Sequence, residues 1–158
     1  MNKTHVIECL RFALEAQLST AQAAAKTAHD TATHEENIAE NKYDTLGLEA
    51  AYLAQGQAQR VNDCHLSIIE FEKAFKIAVS SKVSIGSLVC ICDEDENLKW
   101  YFLGPLSGGL SIKIKDTTVY VLTPLSPLGQ LLMDKQQGDE FSFTIANKST
   151  LLEIISIS

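Results

Sequence analysis

No proline occurs in the first 79 residues, and only two glycines do, Gly47 and Gly56. That half has almost no residues that break helices. All three prolines and the other six glycines lie in residues 80–158, where β-branched, aromatic and leucine residues replace alanine. Basic charge is scarce: net charge is −7, with 11 acids and 7 bases in residues 1–79 and 9 acids and 6 bases in residues 80–158. Such a chain is unsuited to general binding of a phosphate backbone, which rests on clustered Lys and Arg. No stretch approaches the roughly 20 apolar residues that cross a bilayer. The opening Met1-Asn2-Lys3-Thr4-His5 lacks a basic region followed by an apolar run, so a cytoplasmic protein without a membrane partner is expected. The four cysteines, Cys9, Cys64, Cys90 and Cys92, are then expected to be reduced thiols. No G-x-S-x-G, P-loop or Rossmann glycine motif is present, so the chain is not expected to be an enzyme on its own.

What is present divides into two modules, 1–79 and 80–158. Val6, Leu10, Leu14, Leu18, Ala21, Ala25 and Ala28 recur at spacings of three and four, predicting one helix from residue 4 to about 31. A second helix is predicted from about 46 to 79, with Leu46, Leu53, Gly56, Val61, Ile68, Phe71 and Phe75 on its apolar or small face. Two long helices with a polar connection fold back as an antiparallel hairpin. The outer faces would carry Gln17, Gln22, Gln55, Gln57, Gln59, Asn62 and Asp63.

Between the helices lies the most acidic part of this half, with Glu35, Glu36, Glu40 and Asp44. Carboxylates clustered with few bases suit a divalent cation that takes oxygen ligands. The plainer reading is a capping box: Thr33 followed by Glu36 matches S/T-x-x-E, so the acids could simply open the second helix.

In residues 83–158, short apolar runs predict strands near Ile85–Cys92, Lys99–Leu103, Leu110–Ile114, Thr118–Leu122, Glu140–Ile145 and Leu151–Ile157. Ser126 should cap a short helix that has Pro127 at its first position. The whole is an α+β chain, a helical hairpin followed by a small antiparallel β unit. Asp93-Glu94-Asp95-Glu96 reads as a solvated turn. His5, Cys9, Cys64 and His65 lack the paired spacing of a zinc site. Cys90 and Cys92 should share one sheet face, as should Trp100 and Phe102, with Tyr101 opposite and available to a partner.

Ile85-Gly86-Ser87-Leu88-Val89, Gly108-Gly109-Leu110, Ser126-Pro127-Leu128-Gly129 and the run from Lys135 to Gly138-Asp139-Glu140 resemble the C-terminal domain of the GreA/GreB transcription elongation factors. Glu40-Asn41-Lys42-Tyr43-Asp44 and Gln59-Arg60-Val61 resemble their hairpin more loosely. The resemblance implies an antiparallel coiled coil followed by an FKBP-like β domain. It implies a bacterial RNA polymerase partner, the β domain docking through Ser126, Pro127, Leu128, Gly129, Gly108 and Gly109 while the hairpin enters the secondary channel. Glu36 and Glu40, with Glu35 and Asp44 behind them, would help hold a Mg2+ ion shared with the polymerase active site. Backtracked RNA would then be cleaved by the polymerase, so nascent RNA is met only indirectly, and the free protein would be a monomer. One departure stands at the tip. The family has an Asp three residues before the Glu of its Glu-Asn pair, whereas Glu36-Asn37 has Thr33 there and Glu40-Asn41 has Asn37. A channel-binding modulator that does not stimulate cleavage is the alternative, and a self-associating coiled-coil module is the reading from a different class.

Overall fold

The computed structural model describes residues 1–33, 46–145 and 148–158. They form two compact units, Met1–Leu10 with Ile69–Ser158, and Arg11–Ile68. Two long helices come first, α1 (Lys3–Thr33) and α2 (Leu46–Ala74). Strands β1 (Leu88–Asp93), β2 (Leu98–Leu103), β3 (Ser111–Ile114) and β4 (Thr117–Leu122) follow, then α3 (Pro127–Leu132), β5 (Glu140–Ile145) and β6 (Lys148–Ile157). This is the expected α+β order.

Along α1 the buried residues are Val6, Leu10, Leu14, Ala21 and Ala28, with Leu18 and Ala25 half-buried between them. That is the apolar stripe read from the spacing. The exposed face carries threonines whose hydroxyls donate to carbonyls one turn back, Thr20 to Ala16 at 2.9 Å and Thr27 to Ala23 at 3.1 Å. Such bonds satisfy the hydroxyls by sharing carbonyls that the ladder already uses, at a slight cost to the helix. Thr33 belongs to this helix too: its hydroxyl donates to the His29 carbonyl at 2.9 Å. A residue inside a helix end is not an N-cap, so the capping-box reading of Thr33 is corrected.

The stripe on α2 keeps Val61, Ile68, Phe71 and Phe75 of the expected face but departs from it in the first half of the helix. Ala50, Ala54, Gln57, Val61, Cys64, Ile68 and Phe71 are half-buried or buried, alternating in steps of four and three as a coiled-coil seam does. Leu53 is 56% exposed and Gly56 is exposed with open space around it. Gln57, expected on the outer face, sits in the seam instead, with its side-chain oxygen buried and unpaired. The alanines carry the seam where larger apolar residues drew attention to the neighbouring positions.

The second helix also ends at Ala74 rather than 79. Phe75 N–H still reaches the Phe71 carbonyl at 2.8 Å, but Lys76 and Ile77 bond three residues back, to Lys73 and Ala74, at 3.1 Å each. The ladder thus tightens and stops, as helix ends commonly do. The cause lies twelve residues beyond Ala74. Gly86 has φ +88°, and a Cβ there would stand 2.5 Å from the Ala74 carbonyl oxygen. The backbone therefore passes hard against the helix end. The same turn, closed by Ser87 N–H on the Ser84 carbonyl at 3.0 Å, delays β1 to Leu88 instead of Ile85.

The six strands form one sheet in the order β3-β4-β2-β1-β6-β5. Four pairings are antiparallel, but β2 and β4 run parallel, with Trp100 opposite Val119 and Leu103 opposite Leu122. The chain leaves β2 for the sheet edge and runs back there as β3, and the β3–β4 hairpin then brings β4 in beside β2 in the same direction. One sheet face packs under α3 around Val89, Ile91, Leu103, Leu132, Phe141 and Ile154. The other face carries Leu88, Cys90 and Phe102, all buried. Phe102 stacks on Phe71 at 6.1 Å and meets Phe75 edge-on at 5.7 Å. The predicted alternation of Phe102 and Tyr101 is therefore present. All four cysteines are free thiols, and burial raises the pKa of Cys90, as expected of a packed rather than reactive thiol.

Candidate functional site: a groove beside the Ser126 turn

The turn before α3 is built from short local bonds. Ser126 N–H donates to the Thr123 carbonyl at 3.0 Å, and the Ser126 hydroxyl donates to the same carbonyl at 2.7 Å. That hydroxyl also accepts from Gly129 N–H at 3.1 Å, so Ser126 is the N-cap with Pro127 in the first turn, as predicted. Thr123 connects this turn to the other glycine motif. A Cβ on Gly108 would lie 3.2 Å from the Thr123 side chain, and one on Gly129 only 2.0 Å from the Thr123 carbonyl oxygen. Two motifs that are distant in sequence are thus brought around one residue.

Leu128 and Gly129 are buried, Ser126 is half-buried, and Pro127, Gly108 and Gly109 are exposed. Gly109, Pro127 and Leu128 line a single cavity of about 380 Å³ together with Tyr101, Tyr120 and Phe143. A second cavity of about 510 Å³ shares Tyr101, Leu128 and Phe143 with it. The two make one groove. Its floor is apolar, and its far end is reached by Asp93, Glu94, Asp95, Lys99 and Lys148. Tyr101 and Tyr120 face each other at 6.1 Å, and burial, then the neighbouring Tyr120, pushes the Tyr101 pKa up. The Tyr101 phenol therefore stays a neutral donor at physiological pH. Tyr120 and Phe143 were not singled out from the sequence. Their positions in alternating strands were the available signal, but which strands flank α3 is set by the sheet order.

The acidic end is an ordered turn. The Asp93 carboxylate accepts from Asn97 N–H at 2.9 Å, Asn97 Nδ2 at 3.0 Å, Asp95 N–H at 3.1 Å and Lys99 Nζ at 3.4 Å. These bonds, the Asn97 amide foremost, hold its pKa below the ordinary 3.8. A depressed carboxylate contributes stability that is present above its unfolded pKa and lost as pH falls through the folded value. Wild type should therefore exceed Asp93→Asn in urea stability by a constant margin at neutral pH, and the margin should shrink below about pH 3.8. A margin unchanged down to about pH 2.5 would show that the carboxylate charge does not hold this turn.

Glu35, Glu36, Glu40 and Asp44 lie outside the described residues. Among the described residues no group of three His, Cys, Asp or Glu side chains is placed to hold a metal ion. His5 Nε2 stands 4.0 Å from Cys9 Sγ, a contact within one helical turn. No described helix is long and apolar enough to cross a membrane.

With the β domain's geometry in hand, comparison with known proteins decides the family. The model described as "Transcription elongation factor, GreA/GreB, C-term" matches residues 78–158, which is just over half of the chain. The chain belongs to the GreA/GreB family of transcription elongation factors. Within that match lie the sheet, α3, both glycine motifs and the groove. Among solved structures it is similar to Gfh1, a GreA factor homolog, of Thermus thermophilus, at 16% identity and a TM-score of 0.38 with 94% of each chain covered. Thermus aquaticus Gfh1 matches at 17% identity and a TM-score of 0.39, covering 91% of this chain and 90% of that one. A GreA/GreB factor from Nitrosomonas europaea matches at 17% identity and a TM-score of 0.39, covering 60% and 78%. No curated protein sequence matches the chain.

Proposed function

We propose that this Gre-family chain binds bacterial RNA polymerase through its β domain and inserts its helical hairpin into the secondary channel, where the acidic segment assists magnesium-dependent cleavage of backtracked RNA. The observation that carries this reading is the placement of Glu35, Glu36, Glu40 and Asp44 between two helices of 31 and 29 residues in a chain of this family. At ~1.5 Å per residue each helix is a rod of roughly 45 Å, long enough to carry a tip well away from a docked base. Carboxylate oxygens suit Mg2+, and two of these four would suffice, because the ion takes one or two protein carboxylates and leaves its other positions to water and phosphate. Bound between the tip and the polymerase, the ion would stabilise the attacking and leaving oxygens of the RNA phosphodiester. Glu36 and Glu40 would be its ligands, with Glu35 and Asp44 behind them. The factor itself would supply carboxylates and no complete active site.

A second reading has a specific observation behind it. Thr33 and Asn37 stand where the family tip has an Asp, and Thr33 is already committed to α1 by its bond to His29. On that reading the chain occupies the channel and modulates transcription without stimulating cleavage.

Purified protein added with magnesium to backtracked elongation complexes separates the two. Shortened RNA 3′ ends are expected, and Glu36→Ala with Glu40→Ala should abolish the shortening while leaving polymerase binding intact. No shortening by the wild type, together with competition against a Gre factor that cleaves, would establish the modulator. Unimpaired cleavage by the double variant would remove both glutamates from the metal site.

A further inference from the structure

We infer that the free edge of β5 is a self-recognition surface, which pairs antiparallel with β5 of a second copy of this chain. This stands on the sheet alone and is independent of the polymerase reading.

The sheet ends in β3 on one side and β5 on the other. An edge strand presents unpaired N–H and C=O groups, and proteins blunt such edges with short strands, Lys or Pro. β3 is blunted in this way: it has four residues, and its Lys113 is exposed. β5 is not. It runs for six residues, Glu140–Ile145, with no Lys, Arg or Pro. Its one charge, Glu140, stands at the end. From Phe141 to Thr144 it alternates aromatic rings with hydroxyls.

The backbone decides which groups are free. Ile154 N–H donates to the Asp139 carbonyl at 3.0 Å, and Phe141 lies opposite Leu152 and Phe143 opposite Thr150. Antiparallel pairs alternate between bonded and non-bonded positions. Phe141 and Phe143 therefore bond to β6, while Glu140, Ser142 and Thr144 turn their N–H and C=O to the open side. Between two β5 strands only these three positions can exchange bonds. A two-fold axis at Ser142 then sets Ser142 opposite Ser142 of the second copy, and Glu140 opposite its Thr144 rather than its Glu140. Phe141 falls opposite Phe143 of the second copy, at the more closely spaced non-bonded positions, where aromatic pairs stabilise a sheet. Phe141 is buried and Phe143 half-buried on the face under α3, so the second copy's rings would cover what Phe143 leaves open. Ser142 and Thr144 are exposed, and their hydroxyls would meet on the other face. Each copy offers one such edge, so association closes at two. Net charge −7 on each copy opposes pairing, so salt should tighten it.

The test follows the full chain in dilute and concentrated solution, by sedimentation equilibrium and by amide hydrogen exchange. A concentration-dependent dimer is expected. Its Ser142 and Thr144 amides should exchange about tenfold more slowly than in dilute solution, while those of Phe141 and Phe143 are protected in both. Ser142→Lys sets like charges across the axis and should weaken dimerisation about tenfold. Because Ser142 is exposed, that variant should keep the wild-type urea midpoint. Ser142→Pro removes only the outward N–H, a change that edge strands tolerate, and should weaken dimerisation as well. Ser111→Lys, on the other edge, should dimerise as wild type does. A chain that stays monomeric in concentrated solution would overturn the inference. So would a dimer whose Ser142 and Thr144 amides exchange as they do in dilute solution, or one that Ser142→Lys leaves within twofold. Slowing of those amides only when core RNA polymerase is added would give the edge to that partner and overturn self-pairing.

Discussion

Replacing Phe71 with alanine should cost roughly 3–5 kcal/mol of folding stability, the range for truncating a fully buried aromatic. Phe71 is 0% exposed and joins three surfaces. Its ring lies against Phe75 at 5.6 Å and Phe102 at 6.1 Å. Its edge also presses on Gly104, where an added Cβ would meet the ring at 2.6 Å. The void left by truncation is walled by β2 and by the last turns of α2, and neither can collapse far, because both are held by their own backbone ladders. Phe71→Leu keeps most of the volume and should cost about 1–2 kcal/mol. Equilibrium urea denaturation of the two variants provides the comparison. A loss below about 1 kcal/mol for Phe71→Ala would mean that the aromatic cluster does not hold the end of α2 to the sheet.

Gly129→Ala should also destabilise, and here the sign itself is informative. Alanine inside a helix is normally favoured over glycine by about 1 kcal/mol. At this position, however, the new Cβ would stand 2.0 Å from the Thr123 carbonyl oxygen, 2.7 Å from Ser126 Oγ and 2.9 Å from the Thr123 carbonyl carbon. None of those atoms is free to give way. The oxygen accepts both from Ser126 N–H and from the Ser126 hydroxyl, and the hydroxyl caps Gly129. Steric displacement of the turn should outweigh the helix preference, for a net loss of about 2–3 kcal/mol. The wall of the groove at Pro127 and Leu128 would shift with it. Thermal denaturation settles the sign, and a stabilised variant would show that the Thr123–Ser126 turn yields easily.

Much of this architecture was legible because it depends on neighbours in sequence. The stripe from Val6 to Ala28, the cap formed by Ser126 and Pro127, the Asp93–Asn97 turn and the strand from Glu140 to Ile145 each follow from spacing or from one side chain reaching a nearby amide. The acidic segment, too, was visible as composition. The groove was half visible. Gly109, Pro127 and Leu128 stood out as turn and cap residues, and Tyr101 as the outward member of a strand. Tyr120 and Phe143 did not, because nothing local distinguishes them from other strand aromatics.

What only the tertiary structure decided involves partners far apart in the chain. The α2 seam follows Ala50, Ala54 and Gln57 rather than Leu53 and Gly56, because packing rewards what faces the core and not the most apolar residue within a turn of it. The helix stops at Ala74 because the backbone at Gly86 occupies the space beyond. The β2–β4 pairing is parallel because the chain crosses from β2 to the sheet edge at β3 and re-enters beside β2 through the β3–β4 hairpin. That re-entry sets Tyr120 beside Tyr101, and through Thr123 it joins Gly108 to Gly129, so the groove exists only once the sheet is assembled. Sequence alone determined the helical and β halves, the family resemblance and the acidic segment, since each is written in contiguous residues. The groove is a property of strand order, which no contiguous stretch contains.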